Sequence, residues 1–201
     1  MVFRPLAVLC FALGLIGCAQ TEGPIRLHYR PMASSSVIEG AGKISVLVDI
    51  YDARTDYRDR VASKKAGAGE EDAPIKADRD ISQVFRDVVE AELKERGFKI
   101  GAGGITAHLD LYKFYTDFKI GFWSGNAAAD VVFRAQVLST KQVFFYSKEI
   151  SASGLVERVS KPDGAHAKAA LETGLQTAIA NLMNDQEFIA ALFKAGAQDA
   201  P

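Results

Sequence analysis

The chain has 201 residues, 24 Lys and Arg against 25 Asp and Glu, a net charge of −1 and 48% hydrophobic residues. That composition is globular and excludes a disordered, collagen-like or coiled-coil chain, and the near-zero charge excludes a strongly basic nucleic-acid binder. The length suits one domain or two small ones, and a chain of this size buries roughly 70% of its unfolded surface without needing disulfides.

The first segment reads as an address. Arg4 precedes an apolar run over residues 6–16. A bilayer span needs about 20 apolar residues, so this run is too short to cross and has the length of a signal-peptide core. It ends in Leu15-Ile16-Gly17-Cys18, which resembles a bacterial lipobox. The resemblance implies that residues 1–17 are a signal peptide cut after the small Gly17, and that Cys18 is lipidated on sulfur. Cys10 then leaves with the signal and Cys18 becomes a thioether. The mature chain has no free thiol, hence no disulfide, no cysteine-held metal and no cysteine nucleophile. The acyl chains on Cys18 make the membrane a partner, at about 0.8 kcal/mol per buried CH₂. Ala19, not Asp, follows the cysteine. By resemblance to enteric-type sorting this implies the outer membrane, with the domain on its periplasmic face.

Residues 18–42 hold Gly23, Pro24, Pro31, three consecutive serines at 34–36, Gly40 and Gly42. They read as a lipidated N-terminus and tether with one short strand at residues 25–29. From residue 43 to 51 the chain alternates, with Ile44, Val46, Val48 and Ile50 on one side of a half-buried strand. Residues 52–80 are the charged part and read as a long surface loop with a short strand near Val61. Residues 81–96 have helical spacing: Ile81, Val84, Phe85, Val88, Val89 and Leu93 form one stripe. Asp80 is placed to cap that helix with Gln83 as its box partner, and Gly97 to end it in the left-handed conformation. A strand then starts at Phe98.

Residues 105–118 alternate again, with Ile105, Ala107, Leu109 and Leu111 on one face. Strands at 128–138 and 142–156 are joined by a short turn at 139–141, which predicts a hairpin. Residues 165–183 return to helical period through Ala167, Leu171, Leu175, Ala178, Ile179 and Leu182. Asn184, with Glu187, is placed to cap a short last helix whose apolar face is Phe188, Ile189, Leu192 and Phe193. Residues 196–201 read as a frayed tail. Joins this tight do not allow parallel crossovers between the middle strands. The predicted fold is therefore a single two-layer α+β domain over residues 43–195: a mostly antiparallel sheet with two amphipathic helices and a short C-terminal helix on one face.

This pattern resembles the YajG family of bacterial lipoproteins over nearly the whole mature chain. The resemblance rests on the lipobox, the strand running into Asp52-Ala53-Arg54-Thr55-Asp56, Arg79-Asp80 opening a helix, and Arg96-Gly97-Phe98 closing it. It continues in Met183-Asn184-Asp185 and the terminal helix with Phe188-Ile189. It implies a location and a fold, and no catalytic mechanism.

The residues themselves form no recognisable reaction centre. His28, His108 and His166 lie in three different elements, with no second ligand at i+4, so no metal is expected. Ser153-Gly154 lacks the flanking glycine of a nucleophile elbow. Gly101-Ala102-Gly103-Gly104 lacks the Lys-Ser/Thr ending of a phosphate loop and reads as a hairpin loop. Asp49, Asp52, Asp56 and Asp59 could hold Ca²⁺ or do acid–base work. Arg54, Arg58 and Arg60 alternate with them, which favours a salt-bridged loop. His108, Asp110 and Tyr112 share one strand face, as a polar groove or simply the wet side of a sheet. Phe122-Trp123 holds the only Trp and is the candidate partner-binding loop, for an envelope protein or glycan; the other reading is a cap on the open end of the core.

The expected function is a non-enzymatic, membrane-tethered accessory or binding module of the bacterial envelope, with no cofactor and no nucleic-acid partner. The alternatives are an auxiliary subunit of an envelope transport or assembly complex, and an enzyme acting on an envelope polymer.

Overall fold

In the computed structural model of the chain, residues 23–32, 36–64, 73–121 and 125–198 are described. The first strand, β1 (Ser45–Asp52), buries Val46, Val48 and Ile50 on the side expected from their alternation. The charged segment after it contains the short strand expected near Val61 and a second one that its composition does not predict. Two short strands, β2 (Ala62–Lys64) and β3 (Ala73–Ile75), pair antiparallel within it.

Helix α1 (Ile81–Glu95) starts where local chemistry requires. The Asp80 carboxylate accepts from the backbone N–H of Ser82 at 2.8 Å and of Gln83 at 3.3 Å, satisfying two of the orphan donors of the first turn. Gly97 stands past the helix end at φ 92°. The buried face is the predicted stripe, extended by Glu92. The chain then enters β4 (Lys99–Ile100), which lies parallel to β1.

The longest strands are β5 (Ile105–Ile120), β6 (Gly125–Leu138) and β7 (Phe144–Val159), an antiparallel meander. A bulge between Leu111 and Lys113 shifts the inward parity of β5 from Leu109 and Leu111 to Phe114 and Phe118, because one extra residue turns every later side chain to the other face. The meander is antiparallel as expected, but the whole sheet is mixed. Strand β1 runs parallel to β5 on one side, from Val46 opposite Ile105 to Asp52 opposite Leu111, and parallel to β4 on the other. The tight-join argument does not reach β1, because α1 supplies the long crossover that a parallel pair needs.

The loop at 101–104 is not a hairpin. Strands β4 and β5 flank β1 on opposite sides, so the loop must cross the start of β1. A Cβ on Gly104 would stand 1.9 Å from the Ser45 carbonyl oxygen; only glycine permits that approach.

Helix α2 (Gly164–Met183) is capped by Asp163, which accepts from the His166 N–H at 3.0 Å. Helix α3 (Gln186–Gln198) follows after a break. Its cap is Asp185, which accepts from Glu187 N–H at 2.9 Å and Phe188 N–H at 3.4 Å. Asn184, expected there, instead ends α2 by donating its N–H to Ala180. Helix α3 also continues into the segment expected to fray. Ala195 is fully buried and Gly196 packs on Ile44, and this burial holds the last turns.

Helix α2 approaches β7 closely at Gly154. A Cβ on Gly154 would meet the Ala170 carbonyl oxygen at 1.9 Å and the Gly174 nitrogen at 2.5 Å. Both are backbone atoms and cannot swing aside. Gly154→Ala should therefore push α2 off the sheet and cost the about 1–3 kcal/mol of an overpacked core. A chemical denaturation midpoint equal to that of the parent would refute this packing.

The segment ahead of β1 is not a free tether. In place of the strand expected at 25–29 there is a single bridge between Ile25 and Ala77. Ile25 donates to the Lys76 carbonyl at 2.8 Å, and its own carbonyl accepts from Asp78 N–H at 2.9 Å. The chain then crosses the helices. His28 N–H donates to Glu172 of α2 at 2.7 Å, and the Tyr29 hydroxyl and Met32 N–H both donate to Glu92 of α1, at 2.7 and 2.9 Å. Glu92 is fully buried and also pairs with Arg96. Leu27, Tyr29 and Met32 pack against the core beside these bonds, so the segment is fixed by apolar burial as well as by polar contacts.

Candidate functional site

The outer edge of β5 changes partner midway. Strand β1 pairs with it as far as Leu111, and β2 takes over at Thr116, whose N–H donates to the Val61 carbonyl at 2.8 Å. Residues 112–115 fall in the gap, next to the bulge. The loop 53–60 lies over this gap, and its shape is set by one buried side chain.

That side chain is Arg54, 5% exposed. Its Nε and Nη2 donate to the two carboxylate oxygens of Asp52 at 2.9 and 2.7 Å. Its remaining N–H groups reach the carbonyls of Arg58 at 3.3 Å, Tyr57 at 3.4 Å and Arg60 at 3.5 Å. Arg58 in turn donates to the Asp52 carbonyl at 2.9 Å. A planar guanidinium can satisfy a carboxylate and several carbonyls at once, so the loop is wound around Arg54. Burial pushes the Asp52 carboxyl up, but the bonds and charge of Arg54, with Arg58 behind it, outweigh this and hold it below its ordinary range.

The loop presents Tyr57. This residue has φ 54°, a left-handed conformation that costs a residue with a side chain of order 1–3 kcal/mol and persists only where the surroundings enforce it. Its ring stacks on Tyr115 with centroids 4.3 Å apart and planes 19° from parallel. Tyr115 is buried and donates its hydroxyl to Ser63 at 3.1 Å; burial raises its pKa. Tyr57 remains 53% exposed. With Tyr112, Lys113, Asp56 and Asp117 these rings line a groove of about 360 Å³. Lys113 is held by Asp130 at 2.7 Å, and Arg134 lies 5.5 Å from the Tyr112 ring centre.

Of the residues singled out in the sequence, Leu15, Ile16, Gly17, Cys18, Phe122 and Trp123 lie outside the described residues. The flanks of the last two, Gly121 and Gly125, stand at the tip of the β5–β6 hairpin. Within the acidic cluster Asp52 pairs with Arg54, Asp59 with Arg60 and Asp49 with Arg86 at 3.8 Å, while Asp56 accepts from the Thr55 hydroxyl at 3.3 Å. His108 does meet Asp110, its Nε2 3.1 Å from that carboxylate and its Nδ1 2.8 Å from Asp49. Tyr112 belongs instead to the groove. His28 and His166 are elsewhere, beside Glu172 and Asp163. Among the described residues no group of three or more His, Cys, Asp or Glu side chains is placed to hold a metal ion, and no helix is long and apolar enough to cross a membrane.

The sequence alone does not mark Arg54, Tyr57 and Tyr115 as one site. The available signal was a single aromatic, Tyr57, inside an otherwise charged loop; nothing local paired it with Tyr115, 58 positions away.

Residues 31–192 match the model of a family described as uncharacterized lipoprotein. The chain belongs to that family. No curated protein matches it. Among solved structures, the lipoprotein is similar to a Xanthomonas campestris protein, at 18% identity and TM-score 0.60, over 88% of this chain and 99% of that one. It is also similar to a protein from Caulobacter crescentus described as a lipoprotein, at 16% identity and TM-score 0.40, over 71% and 93% of the two chains. A minor lipoprotein from Acinetobacter baumannii matches at 7% identity and TM-score 0.41, over 83% and 97%. The first likeness is one of fold.

Proposed function

We propose that this lipoprotein is a YajG-type, non-enzymatic binding module of the bacterial envelope, anchored through acyl chains on Cys18 in the outer membrane and facing the periplasm, and that its groove at Tyr57 docks an envelope protein. The observation that carries the reading is the strained, Arg54-braced Tyr57 stacked on Tyr115. A loop held in an unfavourable conformation to expose a ring serves recognition better than packing. Tyr and Arg together are also the residues most enriched where protein partners bind tightly.

The test is a photo-crosslinking residue in place of Tyr57 in the lipidated protein, irradiated in intact membranes. One protein adduct of defined mass, lost when Tyr115→Ala removes the stacking partner, is expected. Absence of an adduct, or an adduct that collapses on muramidase digestion, would overturn the reading, the second outcome in favour of a glycan. In the same cells Cys18→Ala should leave the protein soluble or unprocessed. Continued fractionation with the outer membrane would remove the lipid anchor from the account.

A further inference from the structure

We propose that the open edge of β7 is a docking site for an extended segment of another protein, which adds to the sheet as one more strand. Among the described residues, the sixteen residues of β7 pair with β6 and with nothing else. From Tyr146 to Glu157 that pairing runs without a break, and the register shifts stand only at the two ends. The strand is therefore regular on its open side as well. Proteins guard such an edge with proline, lysine or a bulge, because its unpaired N–H and C=O groups template another chain. Here there is no proline, and Ile150 to Val156 carries no charged side chain. The one lysine, Lys148, is turned onto Asp185 at the end of α2, at 2.7 Å. A row of backbone donors and acceptors at strand spacing takes one kind of ligand, another extended backbone.

The groove beside this edge fits such a ligand. It holds about 530 Å³ between residues 145–148 of β7 and the face of α3 that carries Gln186, Ala190 and Lys194 one turn apart. Four consecutive strand residues line it. A sheet face presents alternate residues, so a wall of consecutive ones is an edge. Lys148 is offset by Asp185, and Lys194 by Glu187 in the same groove, so the segment that fits is uncharged. Its side chains on the α3 side meet Ala190 and Ala191. Its other side chains run beside Ser147, Ser151 and Ser153, with the exposed Phe144 and Leu155 at the two ends of the row. The occupant is a lone strand and not a second copy of this chain. Helix α2 lies above β7 from Gly154, which abuts Ala170 and Gly174, to Tyr146 and Lys148, which bond to Asp185 just past the helix end. Two β7 strands paired about 4.8 Å apart would bring two α2 helices closer than the about 8–10 Å that packed helices need. A segment without a helix of its own meets no such clash.

The edge lies two strands away from the Tyr57 groove, across β6, so the two surfaces are tested separately. A photo-crosslinking residue is placed in turn at Ser147, Ser151 and Ser153, all exposed, in the full chain, and intact membranes are irradiated. Adducts with one and the same protein are expected from all three positions. The joined residues of that protein should advance along a single segment by about four residues and then by about two, in step with the spacing along β7. Ala190→Trp, at an exposed position of α3, fills the groove without touching the core. It should lower the adduct from Ser147 about tenfold while the urea midpoint stays that of the parent. No adduct from any position, an adduct with a second copy of this chain, or joined residues scattered out of step would overturn the proposal. An undiminished adduct in Ala190→Trp would overturn the groove as its seat.

Discussion

Replacing Arg54 by Leu should destabilise the domain by about 3–5 kcal/mol, the usual cost of breaking a buried ion pair by removing one partner. The Asp52 side chain is only 15% exposed and would keep its charge with its bidentate partner gone and only the Arg58 charge near it. The carbonyls of Tyr57, Arg58 and Arg60 would each lose a donor. Much of the effect is thus the penalty of what is left behind. Removing Asp52 as well should recover part of the loss, which a double-mutant cycle would read directly. The effect should depend on pH in one direction. The folded pKa of Asp52 is depressed below its unfolded value near 3.9. Its contribution is therefore fully present above that value and is lost as pH falls through the folded one. Parent and variant should differ most near neutrality, and the gap should narrow, without closing, as pH falls through the folded pKa. Urea midpoints across that range would check both claims. A constant gap would mean that Asp52 is not the group left exposed.

The Leu175→Ala variant should lose about 2–5 kcal/mol, from transfer energy plus the cavity left in a tightly packed layer. Leu175 is fully buried, as are Leu171, Ile179 and Leu182 on the same stripe of α2. Against a typical stability of about 5–15 kcal/mol this is a large fraction. The internal control is Lys168→Ala. Lys168 is half-buried beside the N-terminal segment and 3.7 Å from Glu172, one turn on. A surface pair of that kind is worth little, and the change should stay under about 0.5 kcal/mol. Equal denaturant midpoints for the two variants would place the helix face wrongly.

These two sites differ in how visible they were before the structure. The Leu175 stripe is written in a period of 3.6, and its burial follows from that period. Arg54 sits in a stretch whose alternating signs suggest nothing more than a wet loop. Its burial depends on the gap that β1 and β2 leave beside β5, which no local pattern encodes. The groove is equally hidden, because Tyr57 and Tyr115 meet only when the loop folds back over that gap. The docked N-terminal segment was hidden for a related reason. Pro, Gly and Ser mark the absence of regular structure, but irregular chain still packs where it has Ile25, Leu27 and Tyr29 to bury and Glu92 to bond.

The sequence by itself determined what acts over a few residues. The Asp80 cap, the left-handed Gly97, the β6–β7 hairpin and the buried faces of β1, α1 and α2 depend on neighbours within a turn or on a period of two or 3.6. The tertiary structure decided the partners that lie far apart in the chain. It made β1 parallel to β5, moved the α3 cap from Asn184 to Asp185, carried α3 through Gln198 and required glycine at 104 and 154, where two backbones meet. Those choices are made by burial and backbone clashes between residues tens of positions apart. Propensity is blind to such contacts, because it registers only what a residue does to its own stretch of chain.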